Sequence, residues 1–144
     1  MSTESTTSEY MLLFRNTSWH RALSPQELQK VTDQWMAWYD RLAEQGKVTA
    51  GHPLMHEGKI VSGKNGRFVA DGPFAESKEA IGGYFLLNVE TIEEALTIAK
   101  DCPGLEYGTT VEVRPVAAVC PMRESSAEAA YGEGAEATYA QANA

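Results

Sequence analysis

Apolar side chains recur along this chain in two rhythms, every second residue and every third or fourth, and the changes of rhythm mark off its elements. YMLLFR, residues 10–15, is short, apolar and aromatic, which predicts a central strand. After the polar loop NTSWHRAL, apolar residues fall at Leu28, Val31, Trp35, Trp38 and Leu42, a spacing of three and four that predicts one helix face. Ser24-Pro25-Gln26-Glu27 supplies the helix start, with serine as N-cap, proline at the first helical position and glutamate placed to close a capping box. Gly46 supplies the stop. Gln29, Lys30, Asp33, Gln34, Arg41 and Glu44 decorate the remaining surface, and the two tryptophans one turn apart read as core rather than as an aromatic ligand box.

Two short strands are expected next, at 47–51 and 53–56. KIVSG and GRFVAD form the arms of a hairpin around Lys64-Asn65-Gly66, since Asn-Gly favours tight reversal. Residues 83–89, GYFLLNV, predict another strong strand. Thr91 to Glu94 repeats the capping signal, Ala95, Leu96, Ile98, Ala99 and Cys102 give a second helix its apolar side, and Pro103-Gly104 ends it. TTVEVRPV, 109–116, alternates Val111 and Val113 with outward Glu112 and Arg114, as a half-buried strand does.

The order is therefore β-α-β, a hairpin insertion, then β-α-β: an α+β fold of the ferredoxin-like kind, a four-stranded antiparallel sheet with both helices on one face. The first and third strands are apolar on both parities, so the other face also needs a cover. With no third large helix to supply it, a second copy of the sheet is the expected cover, and a homodimer follows.

Composition sets the limits. At 144 residues the chain fits one domain, expected over 9–120, with a serine- and threonine-rich flexible tail at 1–8. Residues 121–144 are rich in Ala, Glu, Ser and Gly and poor in large apolar groups, which predicts a disordered or weakly helical tail. Twenty acidic against 12 basic residues give a formal charge of −8, which argues against direct nucleic-acid binding. No run is long and apolar enough for a bilayer, so a cytoplasmic protein with no membrane partner is the expectation. Cys102 and Cys120 are isolated and make neither a disulfide framework nor a thiol metal site.

The chemistry concentrates in DGPFAESKEAIGGYF, 71–85. Asp71-Gly72-Pro73 reads as a turn that aims Phe74 inward. The same rigidity suits an aspartate held beside an aromatic wall, where it could exchange a proton. Asp71 is thus the first catalytic candidate and His52, whose imidazole titrates near neutrality, the second. Lys78, Arg67, Glu76, Phe74 and Tyr84 are the candidate ligand contacts, and Lys59, Lys64, Arg67 and Lys78 are the cations expected to gather if the ligand is an anion. Gly82-Gly83 permits close approach of backbone to a ligand or a partner strand. His52 and His56 have the helical zinc spacing, but Pro53 excludes the helix, so no metal is expected. No cofactor motif, phosphate-binding glycine loop or nucleophile elbow is present.

DGPFAESKEAIGGYFLL, the capped helix after it, the Cys-Pro-Gly stop and VEVRPV together resemble the DGPF-motif branch of the YCII-related proteins. The opening YMLLF and the W-x-x-W of the first helix are similar too, so the likeness covers about residues 9–117. The resemblance implies a ferredoxin-like domain that dimerises into an α/β barrel. It also implies an acidic role for Asp71, since a His–Asp pair has been proposed as catalytic in other members, one of which is linked to dehydrochlorination of an aromatic ring. Neighbouring sigma-factor genes in the family imply a transcription-related protein as a further partner. Two functions stand open: a small-molecule-binding homodimer, or a cofactor-independent isomerase, lyase or dehalogenase using Asp71 as general acid/base on a small anionic or aromatic substrate.

Overall fold

The computed structural model describes residues 8–72 and 80–117. Strand β1 (Ser8–Arg15) leads through a short 3₁₀ turn (Ser18–Ala22) into helix α1 (Pro25–Glu44), then β2 (Val48–Pro53). A hairpin of β3 (Lys59–Ser62) and β4 (Phe68–Asp71) follows, then β5 (Ile81–Val89), α2 (Ile92–Ala99), a 3₁₀ turn (Pro103–Tyr107) and β6 (Thr110–Pro115).

The local signals explain the helix limits. Ser24 Oγ accepts the Glu27 N–H at 3.1 Å while the Glu27 carboxylate accepts the Ser24 N–H at 2.9 Å, so both halves of the capping box form. At the other end Gly46 takes a left-handed φ of 72°, and the Gly46 and Lys47 N–H groups reach back to the carbonyls of Ala43 and Leu42. That pairing satisfies the last turn of α1. In α2 only half of the expected box closes: Thr91 Oγ1 accepts from the Glu94 N–H, but the Glu94 carboxylate reaches the Glu90 N–H instead.

β2, β5, β1 and β6 form one antiparallel sheet in that order, while among the described residues β3 and β4 pair only with each other. This is ferredoxin-like topology, with the second hairpin standing outside the main sheet. Leu12, Phe14, Phe85, Leu87 and Val89 point from the sheet toward the helices and are buried with Trp38, Leu42, Ala95, Ile98 and Cys102. α2 contacts β6, β5 and β1, whereas α1 lies toward β2.

The expected dimeric α/β barrel, and the homodimer invoked to complete it, are corrected by this sheet. It is open, with β2 and β6 as separate edges two strands apart. The reason lies on the face turned away from the helices. Met11 and Leu13 of that face are half-buried, but the same face carries Arg15, Glu112 and Arg114, whose charges serve one another: Arg15 Nη2 meets Glu112 Oε1 at 2.5 Å and Arg114 stands 3.9 Å from the same carboxylate. An apolar count over β1 and β5 alone missed this polar network from β6.

Two smaller expectations also change. The separate strands at 47–51 and 53–56 are a single strand ending at Pro53, and residues 54–56 are irregular. The second helix stops at Ala99, with Cys102 buried just beyond it at the start of a 3₁₀ turn. Among the described residues no helix is long and apolar enough to cross a membrane. Of the two tails, residues 1–7 and 121–144 lie outside the described residues.

Candidate ligand-binding site

A cavity of about 520 Å³ opens between α1 and the β2–β5 side of the sheet. α1 supplies Val31, Thr32, Trp35, Met36 and Tyr39, and the segment after β1 supplies Thr17 and Trp19. The sheet supplies Phe14 and Phe85, and residues 51–53 and 82–84 complete the lining. Trp35 and Tyr39 are four apart on the helix and so share one face, one turn from the other.

Three glycines leave the room. Cross-strand register sets Gly51 beside Phe85 and Gly83 beside Pro53, so Gly51 and Gly83 belong to the helix-facing side, where any other residue would put a side chain. A Cβ on Gly51 would come within 2.7 Å of the Phe85 ring and 2.9 Å of the Tyr39 ring. A Cβ on Gly83 would come within 3.0 Å of the His52 carbonyl oxygen. Gly82 lies hard against the Thr17 side chain, and its carbonyl accepts the Leu54 N–H at 2.9 Å. The close approach expected of Gly82-Gly83 is thus made to the edge strand and to Thr17.

The walls are held by ring contacts. Phe14 meets Trp35 edge-on at 5.2 Å, Trp35 meets Trp38 at 5.8 Å, and Tyr39 meets Phe85 at 5.1 Å. Trp19, at the side, stacks on Tyr107 at 5.2 Å and donates its indole N–H to Thr109 Oγ1 at 2.6 Å. Such edge and offset geometries are the favoured ones for aromatic pairs. Among the described residues none that lines the cavity is Asp, Glu, Lys or Arg.

The sequence-predicted residues divide between two places. His52 and Tyr84 border the cavity and are directly opposite in register, with His52 Nδ1 2.7 Å from the Tyr84 hydroxyl. Strand alternation turns their side chains to the face opposite α1, so the cavity sees them at the sheet edge. Asp71 ends β4, is paired with Lys59 Nζ at 2.5 Å, and does not line the cavity. Arg67 lies over the Phe68 ring at 5.0 Å in the same hairpin. Phe74, Glu76 and Lys78 lie outside the described residues. Of the histidines, His56 stacks on His20 with centroids 5.4 Å apart, and His20 donates its Nδ1–H to the Thr17 carbonyl at 2.9 Å. Among the described residues no group of three or more His, Cys, Asp or Glu is disposed to hold a metal ion.

Sequence reasoning missed most of the cavity. The tryptophan pair splits its work: Trp38 is buried core, at 2% exposure, while Trp35 is only partly buried and lines the cavity. Trp35 and Tyr39 at helical spacing, facing a strand that carries glycine at 51, was the available signal.

Residues 9–119 match the YCII-related domain family. This chain belongs to that family. An uncharacterised protein of Rhizobium meliloti (strain 1021) is 31% identical over 122 residues, covering 77% of this chain and 93% of the relative. In this YCII-related protein the matched region contains every cavity residue and both strands of the hairpin.

Proposed function

We propose that this YCII-related protein binds a small molecule in the cavity between α1 and the β2–β5 edge. The observation that carries the reading is an aromatic recess of about 520 Å³ bordered by three glycines. Ligand pockets are commonly about 300–1,000 Å³ and mainly apolar, with a few polar groups at their margins. Thr17 and Thr32 are such groups here. The motif Asp71-Gly72-Pro73-Phe74 supports assignment to the DGPF branch of the family.

The test is a thermal-shift screen of small metabolites on wild type and on Trp35→Leu. A ligand that binds only the folded chain stabilises it by about 2.7 kcal/mol at a hundredfold excess over Kd. Hits that raise the wild-type midpoint by several degrees and lose that effect in the folded variant support the reading. Hits indifferent to Trp35→Leu would sink it.

A second reading is a cofactor-independent enzyme of isomerase, lyase or dehalogenase type. One observation favours it: on the opposite face of the strands that border the cavity, the His52–Tyr84 hydrogen bond joins two groups able to pass a proton. In this reading His52 acts with Tyr84, and Asp71 would have to leave Lys59 to take part. A turnover assay on confirmed ligands separates the readings, since His52→Gln abolishes turnover but spares binding only if the second holds.

A further inference from the structure

We infer that the occupant of the cavity is an uncharged, flat aromatic molecule of two to three rings. The inference rests on the cavity being the ligand site and adds the chemistry of what fills it. The first ground is charge. Among the described residues no Asp, Glu, Lys or Arg lines the space, so there a carboxylate or an ammonium group would give up its water shell without gaining a partner. The chain's formal charge of −8 further opposes the approach of an anion.

The second ground is shape. Phe14, Trp19, Trp35, Tyr39 and Phe85 all line the space, with Tyr39 and Phe85 packed down on Gly51, so an occupant meets ring faces and edges. Aromatic walls favour a flat aromatic ligand over a puckered, saturated one of the same skeleton. The third ground is rigidity. The edge-on contacts among Phe14, Trp35, Tyr39 and Phe85, and the anchoring of Trp19 by Tyr107 and Thr109, fix the walls before anything enters. A preformed wall leaves little ordering cost on binding. The fourth is size: a dry apolar cavity of about 150 Å³ holds one benzene, and this one has about 520 Å³. Aromatic faces do attract organic cations, but the rings here turn edges and faces toward one another, and among the described residues no carboxylate lines the space to share the charge.

The experiment is isothermal titration of the full chain at pH 7 with four probes on one two-ring skeleton. They are 2-naphthol, 2-naphthoate, naphthylmethyl-trimethylammonium and saturated decahydro-2-naphthol. Each is run on wild type, Thr32→Trp and Met36→Trp, the two substituted positions being exposed on α1 so that the added ring fills the mouth rather than the core. Far-UV circular dichroism confirms that each variant folds. The expected result is that 2-naphthol binds at least tenfold more tightly than each other probe and loses tenfold or more in a folded tryptophan variant. Equal or tighter binding of the naphthoate, the ammonium or the saturated alcohol, with the same loss in the variants, would overturn the ligand class while leaving the cavity as the site. Binding by no probe, or binding unchanged in both variants, would overturn the class and the site together.

Discussion

His52 and Tyr84 face each other across the β2–β5 pair, with Nδ1 of the histidine 2.7 Å from the tyrosine hydroxyl and ring centroids 5.6 Å apart. The bond is available in either tautomer, the hydroxyl donating to a bare nitrogen or accepting from a protonated one. It ties the edge strand to its neighbour just where β2 ends at Pro53. Cross-strand pairs of this kind contribute roughly 0.2–1 kcal/mol. Tyr84→Phe should therefore lower stability by about that amount, and a double-mutant cycle with His52→Ala in urea should return a coupling of the same size. Zero coupling would mean that the bond is not held in solution.

Asp71 is expected to behave as a clamp of the hairpin. Its side chain is 78% exposed and its Lys59 partner 68%, and Lys59 and Asp71 are directly opposite in the β3–β4 register. Exposed pairs of this kind are worth about 0–1 kcal/mol and weaken with salt. Asp71→Asn should cost less than about 1 kcal/mol in low salt and less still at high ionic strength. A salt-independent loss well above that range, measured by urea unfolding, would show that Asp71 does more than pair with Lys59.

The fold was readable where local chemistry and periodicity agreed. Ser24 through Glu27 announced the start of α1, Gly46 its end, and the Val111/Val113 alternation the inward side of β6, because each is decided within a few residues. The cavity was harder, because it is an absence. Its floor comes from Gly51 on β2 and Gly83 on β5, which become neighbouring positions only through strand pairing. Its wall comes from the same helix stripe that fills the core, so spacing alone could not divide Trp38 from Trp35. The open sheet was misread because Arg15 and Glu112, far apart in sequence, neutralise each other on the face that apolar counting assigned to a partner. Asp71 drew notice as part of a conspicuous motif, yet among the described residues its hairpin pairs only with itself.

Cys102 should make the chain lose stability in alkali. The residue is 4% exposed, and burial raises its thiol from 9.0 to about 11, with hydrogen bonds from the backbone of Gly104 and Leu105 opposing that rise. Below pH 9 the thiol is protonated in folded and unfolded chains alike, so its stabilising contribution is intact. Between 9 and about 11 the unfolded chain releases the proton and the folded chain retains it, so stability falls as pH rises. The loss attributable to this group is at most roughly 3 kcal/mol. Measured in a Cys120→Ser background, Cys102→Ala should be less stable near neutrality but flatter across that alkaline window. An identical alkaline decline in both proteins would remove Cys102 as its source.

Gly51 and Gly83 should respond differently to the same added methyl group. Alanine is favoured over glycine in a strand by roughly 0.5–1 kcal/mol in backbone entropy, so any net loss must come from collision. At Gly51 the new carbon would lie 2.7 Å from Phe85 and 2.9 Å from Tyr39. Ring atoms yield more readily than backbone, so Gly51→Ala should cost only about 1–2 kcal/mol of overpacking strain while displacing the Phe85 and Tyr39 walls that 2-naphthol would meet. At Gly83 the obstacle is backbone, the His52 carbonyl oxygen at 3.0 Å and the Pro53 Cα at 3.3 Å, on an edge strand whose retreat would weaken its pairing with β5. Gly83→Ala should therefore cost about 1–3 kcal/mol and speed amide exchange in β2 more than in β1. Urea unfolding, naphthol titration and hydrogen exchange on both variants check the contrast. If Gly51→Ala keeps full affinity at wild-type stability, the floor is not where the ligand lies.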